Sequence, residues 1–347
     1  MTEIQREQNR ETRKLQVTGG STYIISLPKK WVVQNQLKKG SSILFYEEED
    51  GSLRISSESK RQERSEEALI RVSSSDHPNA IIRKIVSVYL VGYNSIHVKG
   101  QKEALSSRQR NTIKNFARRL LVGTEIVTDT PTELSLQVLL NYPELSVQSA
   151  LRRMCIITSS MHKDAVTALR ELDLQQAKDV ITTDDEVDRF NLYIVRQLKM
   201  AIQKPRSIRE IGLTNARDCL GYRLVTKYVE RTADHAVNIA ENVLSLERRL
   251  NSEVIGKIEK MSTIAVSMFE TSIEALFRND FNLAESLIEK MKNVVALALE
   301  AASFSEEIRA DESASLRLVI ESVRRTAEYA CDVAEIVLNL AVESIIK

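Results

Sequence analysis

From Leu145 to Lys347 the chain is almost free of helix breakers. Only Pro205, Gly212, Gly221 and Gly256 interrupt a run rich in Ala, Leu, Glu, Arg and Val, a composition that predicts helix throughout. The stretch is also internally duplicated. Ala168-Leu169, Asp173, Ala177 and Ile181 recur as Ala275-Leu276, Asp280, Ala284 and Ile288 at an offset of 107 residues. Farther on, Arg231-Thr232-Ala233-Asp234, Ala236, Ala240-Glu241 and Val243-Leu244 recur as Arg325-Thr326-Ala327-Glu328, Ala330, Ala334-Glu335 and Val337-Leu338 at an offset of 94. The change of offset means a shorter connection before the third helix of the second copy. Two tandem three-helix bundles follow, packed by their apolar stripes. Helices are expected near 147–171, 174–202, 209–248, 252–278, 281–304 and 310–346, with Asp173 and Asp280 as N-caps.

The third helix of the first copy, Tyr222–Leu244, carries two stripes. Tyr222, Val225, Val229, Ala233, Ala236, Ala240 and Val243 share one face by helical spacing. In the second copy Leu316, Val319, Val323, Ala327, Ala330, Ala334 and Val337 repeat that stripe position by position, so it is structural. Beside it run Glu230, Asp234, Asn238 and Glu241. Glu230 and Asp234 lie one turn apart, where like charges oppose each other unless a cation intervenes. Such a pair alone also fits a solvated face. The second helix of the first copy adds Asp184 and Asp188 at the same spacing, whereas the second copy has Met291 and Val295 there. Glu230 becomes Arg324, Asp234 becomes Glu328 and Asn238 becomes Asp332. The fold therefore does not require the carboxylates, which makes them candidates for function. Oxygen-only donors favour a hard ion such as Mg, Mn or Fe. His235 points about 100° away from Asp234 on the helix and reads as a packing or surface residue.

Ahead of the helices, residues 12–56 have strand character: Lys14–Val17, Tyr23–Leu27, Ser42–Tyr46 and Leu53–Ser56, with turns at Gly19-Gly20 and Asp50-Gly51 and a short helix within Trp31–Leu37. A unit this small buries too little to stand alone, so pairing with a second copy is expected. From Met1 through Tyr46 there are eight basic and three acidic residues, although the whole chain carries only +1. Residues 57–66 read as a solvated linker. From Ala68 to Leu140 the pattern β-α-β-α-β-β predicts a small two-layer α/β sandwich. It lacks phosphate-loop glycines and any acid/base or metal motif. Its basic helix, with Arg108, Arg110, Lys114, Arg118 and Arg119, reads first as a solvated face. Cys155, Cys219 and Cys331 are isolated, which argues against zinc or a disulfide framework and fits a reducing interior. No apolar run is long enough for a membrane span, and the polar first residues do not read as a secretory signal. A cytoplasmic protein is expected.

The duplicated six-helix pattern with Glu230-Arg-Thr-Ala-Asp234, together with Asp173…Ala177…Ile181…Asp184…Asp188, resembles the PhoU family of phosphate-signalling proteins. That resemblance implies multinuclear metal held by carboxylates, and action on phosphate-transporter subunits and signalling kinases. It carries onto Asp184, Asp188, Glu230 and Asp234. In the second copy Glu328 and Asp332 remain as candidates, with Arg324 departing from the pattern. Residues 12–56 are similar to the SpoVT/AbrB swapped-hairpin family through Arg13-Lys14-Leu15, the Gly-Gly-Ser turn, Ile25-Ser-Leu-Pro28-Lys29-Lys30 and Leu37-Lys-Lys-Gly40. That resemblance implies two chains interleaved into a small β-barrel, with DNA or a toxin as partner. A fusion of the two halves looks like the archaeal PhoU-type regulators.

The expectation is a multidomain chain. It comprises a swapped-hairpin domain at 10–57, an α/β domain at 67–141, and PhoU-like three-helix repeats at 147–248 and 252–347. The leading reading is a homodimeric, non-enzymatic, phosphate-responsive transcriptional regulator. Arg10, Arg13, Lys14, Lys29 and Lys30 would contact DNA, phosphates by charge and guanine edges by Arg. The alternative is an adaptor that regulates a phosphate transporter or sensor kinase without touching DNA.

Overall fold

The computed structural model describes residues 11–47, 51–57, 67–139, 145–203, 207–303 and 310–346. The chain divides into two compact units, Met1–Ser65 and Glu66–Lys347. In the first, β1 (Gln16–Thr18) pairs antiparallel with β2 (Thr22–Ile24). Gly19 and Gly20 make the turn at φ +61° and +81°, a region that Cβ-bearing residues avoid. After α1 (Lys29–Gln34), β3 (Ile43–Glu47) pairs antiparallel with β4 (Leu53–Ser57). These strands have no core. Tyr23, Leu53 and Phe45 are 67%, 65% and 57% exposed, and among this unit's described residues only Ser57 is buried. Each such side chain forgoes roughly 1.5–3 kcal/mol of burial.

The second unit begins with a four-stranded sheet. The elements run β5 (Glu67–Val72), α2 (Pro78–Val91), β6 (Ser95–Gly100), α3 (Ser107–Leu120), β7 (Thr124–Asp129) and β8 (Glu133–Val138), in the order the sequence pattern predicts. The sheet order is β5-β6-β8-β7. β5 and β6 are parallel and the other pairings antiparallel. Pro78 opens α2 behind His77, whose ring accepts the Asn79 N–H. Ser106 and Gln109 form a capping box at the start of α3, which satisfies two otherwise orphan donors. Ile70, Ile81, Ile85, Ile96, Ile113 and Leu134 fill the space between helices and sheet. The basic face of α3 is partly neutralised: Arg110 and Lys114 pair with Asp129, and Arg119 with Asp185.

The helical region comprises α4 (Val147–Glu171), α5 (Leu174–Gln203), α6 (Ser207–Glu210) and α7 (Asp218–Leu244), then α8 (Ser252–Arg278), α9 (Phe281–Ile288), α10 (Met291–Ser303) and α11 (Ala310–Leu340). Asp173 accepts the Gln175 and Gln176 N–H groups, and Asp280 that of Leu283, so both cap as expected. Every residue of the two apolar stripes is buried. Two expected helices are broken. Instead of a single helix over 209–248, α6 ends at Glu210 and the chain turns through Gly212 (φ +84°). Asp218 then accepts the N–H groups of Thr214 and Asn215 at 3.0 and 3.1 Å, which fixes the turn that starts α7. Instead of a single helix over 281–304, the chain tightens at Glu289-Lys290. There the Lys290 N–H reaches back only three residues, to the Leu287 carbonyl. The last helix stops at Leu340, and a 3₁₀ turn follows at Val342–Ser344.

The copies meet around an internal two-fold relation. α4 and α8 run antiparallel with Lys163 paired to Glu270 at 2.7 Å. In the antiparallel pair α7 and α11, His235 lies against Tyr329 with ring centroids 5.7 Å apart. Each pair joins equivalent positions of the repeat, so the axis passes between them. The sheet is fastened to the helices by Arg196 of α5, which is only 2% exposed. Its guanidinium donates to the carbonyls of Tyr89, Gly92 and Tyr93 and to Asn94 Oδ1, and lies 4.7 Å from the Tyr89 ring centroid. It thus satisfies the orphan carbonyls at the C-terminal, negative end of α2.

Candidate functional site

α5 places Asp184 and Asp188 one turn apart, and α7 does the same for Glu230 and Asp234. The two helices pack together, and the four carboxylates oppose one another across the contact. Burial, then the charges of Asp188, Asp234 and Glu230, together raise Asp184 to about 7. Asp188 is raised to about 6 by burial, then by Glu230 and Asp234, with Lys227 acting against them. Asp234 is raised by burial and by Glu230. Asp184 Oδ1 is buried without a hydrogen-bond partner, as is Oδ1 of Asn191 one turn beyond Asp188. Lys227 pairs with Glu230, whose side chain is only 13% exposed.

The result is a half-buried groove of oxygen donors with surplus negative charge. Its donor chemistry and its orphaned Asp184 oxygen suit a hard cation. In these side-chain positions, however, no three Asp, Glu, His or Cys residues among those described come close enough together to hold an ion. The groove is poised by charge rather than preformed as a coordination sphere.

The second copy has resolved the same conflict internally. Arg324 pairs with Glu321 at 2.7 Å and also with Glu328, and Arg325 reaches the same two carboxylates at 2.9 and 3.0 Å. Lys227 corresponds to Glu321 and Glu230 to Arg324, so the ion pair is inverted. Glu328 and Asp332 lie one turn apart on α11 with different partners. Glu328 is held by the arginines, whereas Asp332 receives the Tyr228 hydroxyl from α7, its pKa raised by burial and by Glu335 and Glu328. His235 packs on Tyr329, as its phase on the helix implies. In the N-terminal unit Arg13, Lys14, Lys29 and Lys30 are all exposed, and Arg13 pairs with Glu11. Arg10 lies outside the described residues. Lys227 escaped the sequence reading. Its signal was the reciprocal exchange of charge at positions 227/230 and 321/324.

The fold and groove define a duplicated three-helix-bundle protein with one acidic repeat and one self-neutralised repeat. Its family is PhoU: the PhoU domain profile matches residues 151–243 and again 258–337. Residues 16–64 match the profile described as antidote-toxin recognition MazE, bacterial antitoxin, so a MazE/AbrB-like domain precedes the PhoU domains. The chain is similar to phosphate-specific transport system accessory protein PhoU homolog 1 of Thermotoga maritima. The two are 21% identical over 201 residues, covering 56% of this chain and 85% of the relative. It is 30% identical over 128 residues to the PhoU homolog of Aquifex aeolicus, covering 36% of this chain and 55% of the relative. The crystal structure of PhoU from Pseudomonas aeruginosa matches with a TM-score of 0.50 at 20% identity, covering 57% of this chain and 96% of that one.

Proposed function

We propose that the protein is a cytoplasmic, homodimeric regulator of phosphate metabolism that binds DNA through its N-terminal unit and reads phosphate status through the first PhoU repeat. What carries this reading is one chain that joins a charged groove in a PhoU bundle to a basic, coreless pair of hairpins. Hairpins that leave Tyr23, Phe45 and Leu53 exposed call for a second copy to cover them. Dimerisation would bring two sets of Arg10, Arg13, Lys14, Lys29 and Lys30 to one duplex. Asp184, Asp188, Glu230 and Asp234 would hold a hard ion such as Fe, Mn or Mg, which would supply the positive charge that the groove lacks. Among the described residues no helix is long and apolar enough to cross a membrane.

Fluorescence-detected binding of the chain to genomic promoter DNA as a function of salt tests the proposal. Contact with six or more phosphates predicts a loss of affinity of about a thousandfold between roughly 50 and 200 mM salt. No binding at low salt would sink it. A second reading is favoured by the names of the relatives, which are transport-system accessory proteins. On that reading the chain is an adaptor on phosphate-transporter subunits or a sensor kinase, with the hairpins used only to dimerise. Pull-down of transporter subunits before and after deletion of residues 1–56 separates the two.

A further inference from the structure

The contact between α4 and α8 has two ends that the internal two-fold relation makes equivalent, and they differ. At one end Arg170 pairs with Glu259 at 2.9 Å. At the equivalent end Phe277 stands for Arg170 and Arg152 for Glu259. The Arg152 guanidinium lies 4.1 Å from the Phe277 ring centroid and has no carboxylate partner among the described residues. Here the interface opens into a cleft of about 650 Å³, a size typical of small-molecule sites. Phe269 and Ile273 form its apolar floor, and Ile156, 65% exposed, stands at its lip. The other charges around it are already matched: Lys163 with Glu270 and Arg278 with Glu274. None of the groove carboxylates lines it.

An occupant must therefore bring one negative charge for Arg152 and an apolar body for the floor. From Arg152 to Lys163, where the ion pair on the axis closes the cleft, α4 advances about 16 Å, so the slot runs along about three turns of the helix. We infer that this cleft binds a free, single-chain acyl carboxylate, its head on Arg152 and its chain against Ile273 and Phe277. The site is independent of the metal reading and stands or falls separately from it.

Isothermal titration of the full chain with decanoate, below its micelle concentration, tests the assignment. Saturable binding of one decanoate per chain is expected. Octanoate, two methylenes shorter, should bind about fifteenfold more weakly, since each methylene contributes roughly fourfold. Decanol should lose at least about tenfold with the charge-assisted hydrogen bond. Arg152→Gln should weaken decanoate by a similar factor, and Arg170→Gln, at the latched end, should leave it unchanged. Ile156→Asp, at an exposed position that does not threaten folding, should also weaken it by placing a like charge at the lip. Equal binding of decanol and decanoate, or decanoate binding indifferent to Arg152→Gln and Ile156→Asp, would overturn the inference. So would no response to decanoate together with Arg152-dependent retention on phosphatidylglycerol vesicles.

Discussion

In the first repeat one lysine neutralises one carboxylate of a set of four, whereas in the second two arginines neutralise both glutamates they touch. The third helix is packed the same way in both. Tyr222 to Val243 and Leu316 to Val337 bury equivalent stripes, so packing cannot account for the difference in charge. What it teaches is that the bundle accommodates both an acidic stripe and a self-paired one. The unneutralised charge of the first repeat is then a cost borne for something other than folding.

The largest test of this contrast is metal content. Elemental analysis after loading with Mn²⁺ or Fe²⁺ should show bound metal falling to background in Asp184→Asn/Asp188→Asn, and unchanged in Arg324→Ala. Loss in the arginine variant would erase the distinction between the repeats. Next comes stability against pH. With their pKa values raised to about 7 and about 6, Asp184 and Asp188 keep protons in the native state that the unfolded chain releases near pH 4. By linkage the metal-free protein should lose stability as pH rises from about 4 to about 7. Asp184→Asn should therefore raise stability at pH 8 by about 2 kcal/mol, after allowance for solvent screening of a half-exposed group. Urea denaturation at pH 5 and pH 8 measures it, and an unchanged difference between the two pH values would count against the groove's charge. In the second repeat, removal of cations has the opposite sign. Arg324→Ala should destabilise the chain by about 1 kcal/mol, the scale of a partly exposed ion-pair network, and added salt should diminish that loss. Tyr329→His makes the pair on the axis symmetric at a buried position, and stability from thermal melts should fall by no more than about 1 kcal/mol.

Much of this arrangement was legible in the residues. Helical period, the two offsets and the caps at Asp173 and Asp280 located the repeats, because a helix advertises itself through local spacing. The β-α-β-α-β-β order of the central part was legible for the same reason. The breaks at Gly212 and at Glu289-Lys290 were not. One depends on side-chain capping by Asp218 and the other on hydrogen bonds that no composition signals. For the candidate site, spacing placed Asp184 with Asp188 and Glu230 with Asp234. That the two helices face each other, that Lys227 pairs with Glu230 and that Asp332 turns toward Tyr228 are tertiary facts. The role of Arg196 was equally hidden, since a lone arginine in a helix ordinarily reads as surface.

That arginine has a mechanical consequence. α5 carries Asp184 and Asp188 near its middle and Arg196 about 12 Å farther along, at 1.5 Å per residue from Asp188. The sheet hangs on its helix through hydrogen bonds to Tyr89, Gly92, Tyr93 and Asn94. To free the sheet, the chain must break these charge-assisted hydrogen bonds together, at a cost of several kcal/mol. The α/β part and the helices therefore share a single melting event, and a calorimetric scan should record residues 67–346 as one cooperative peak.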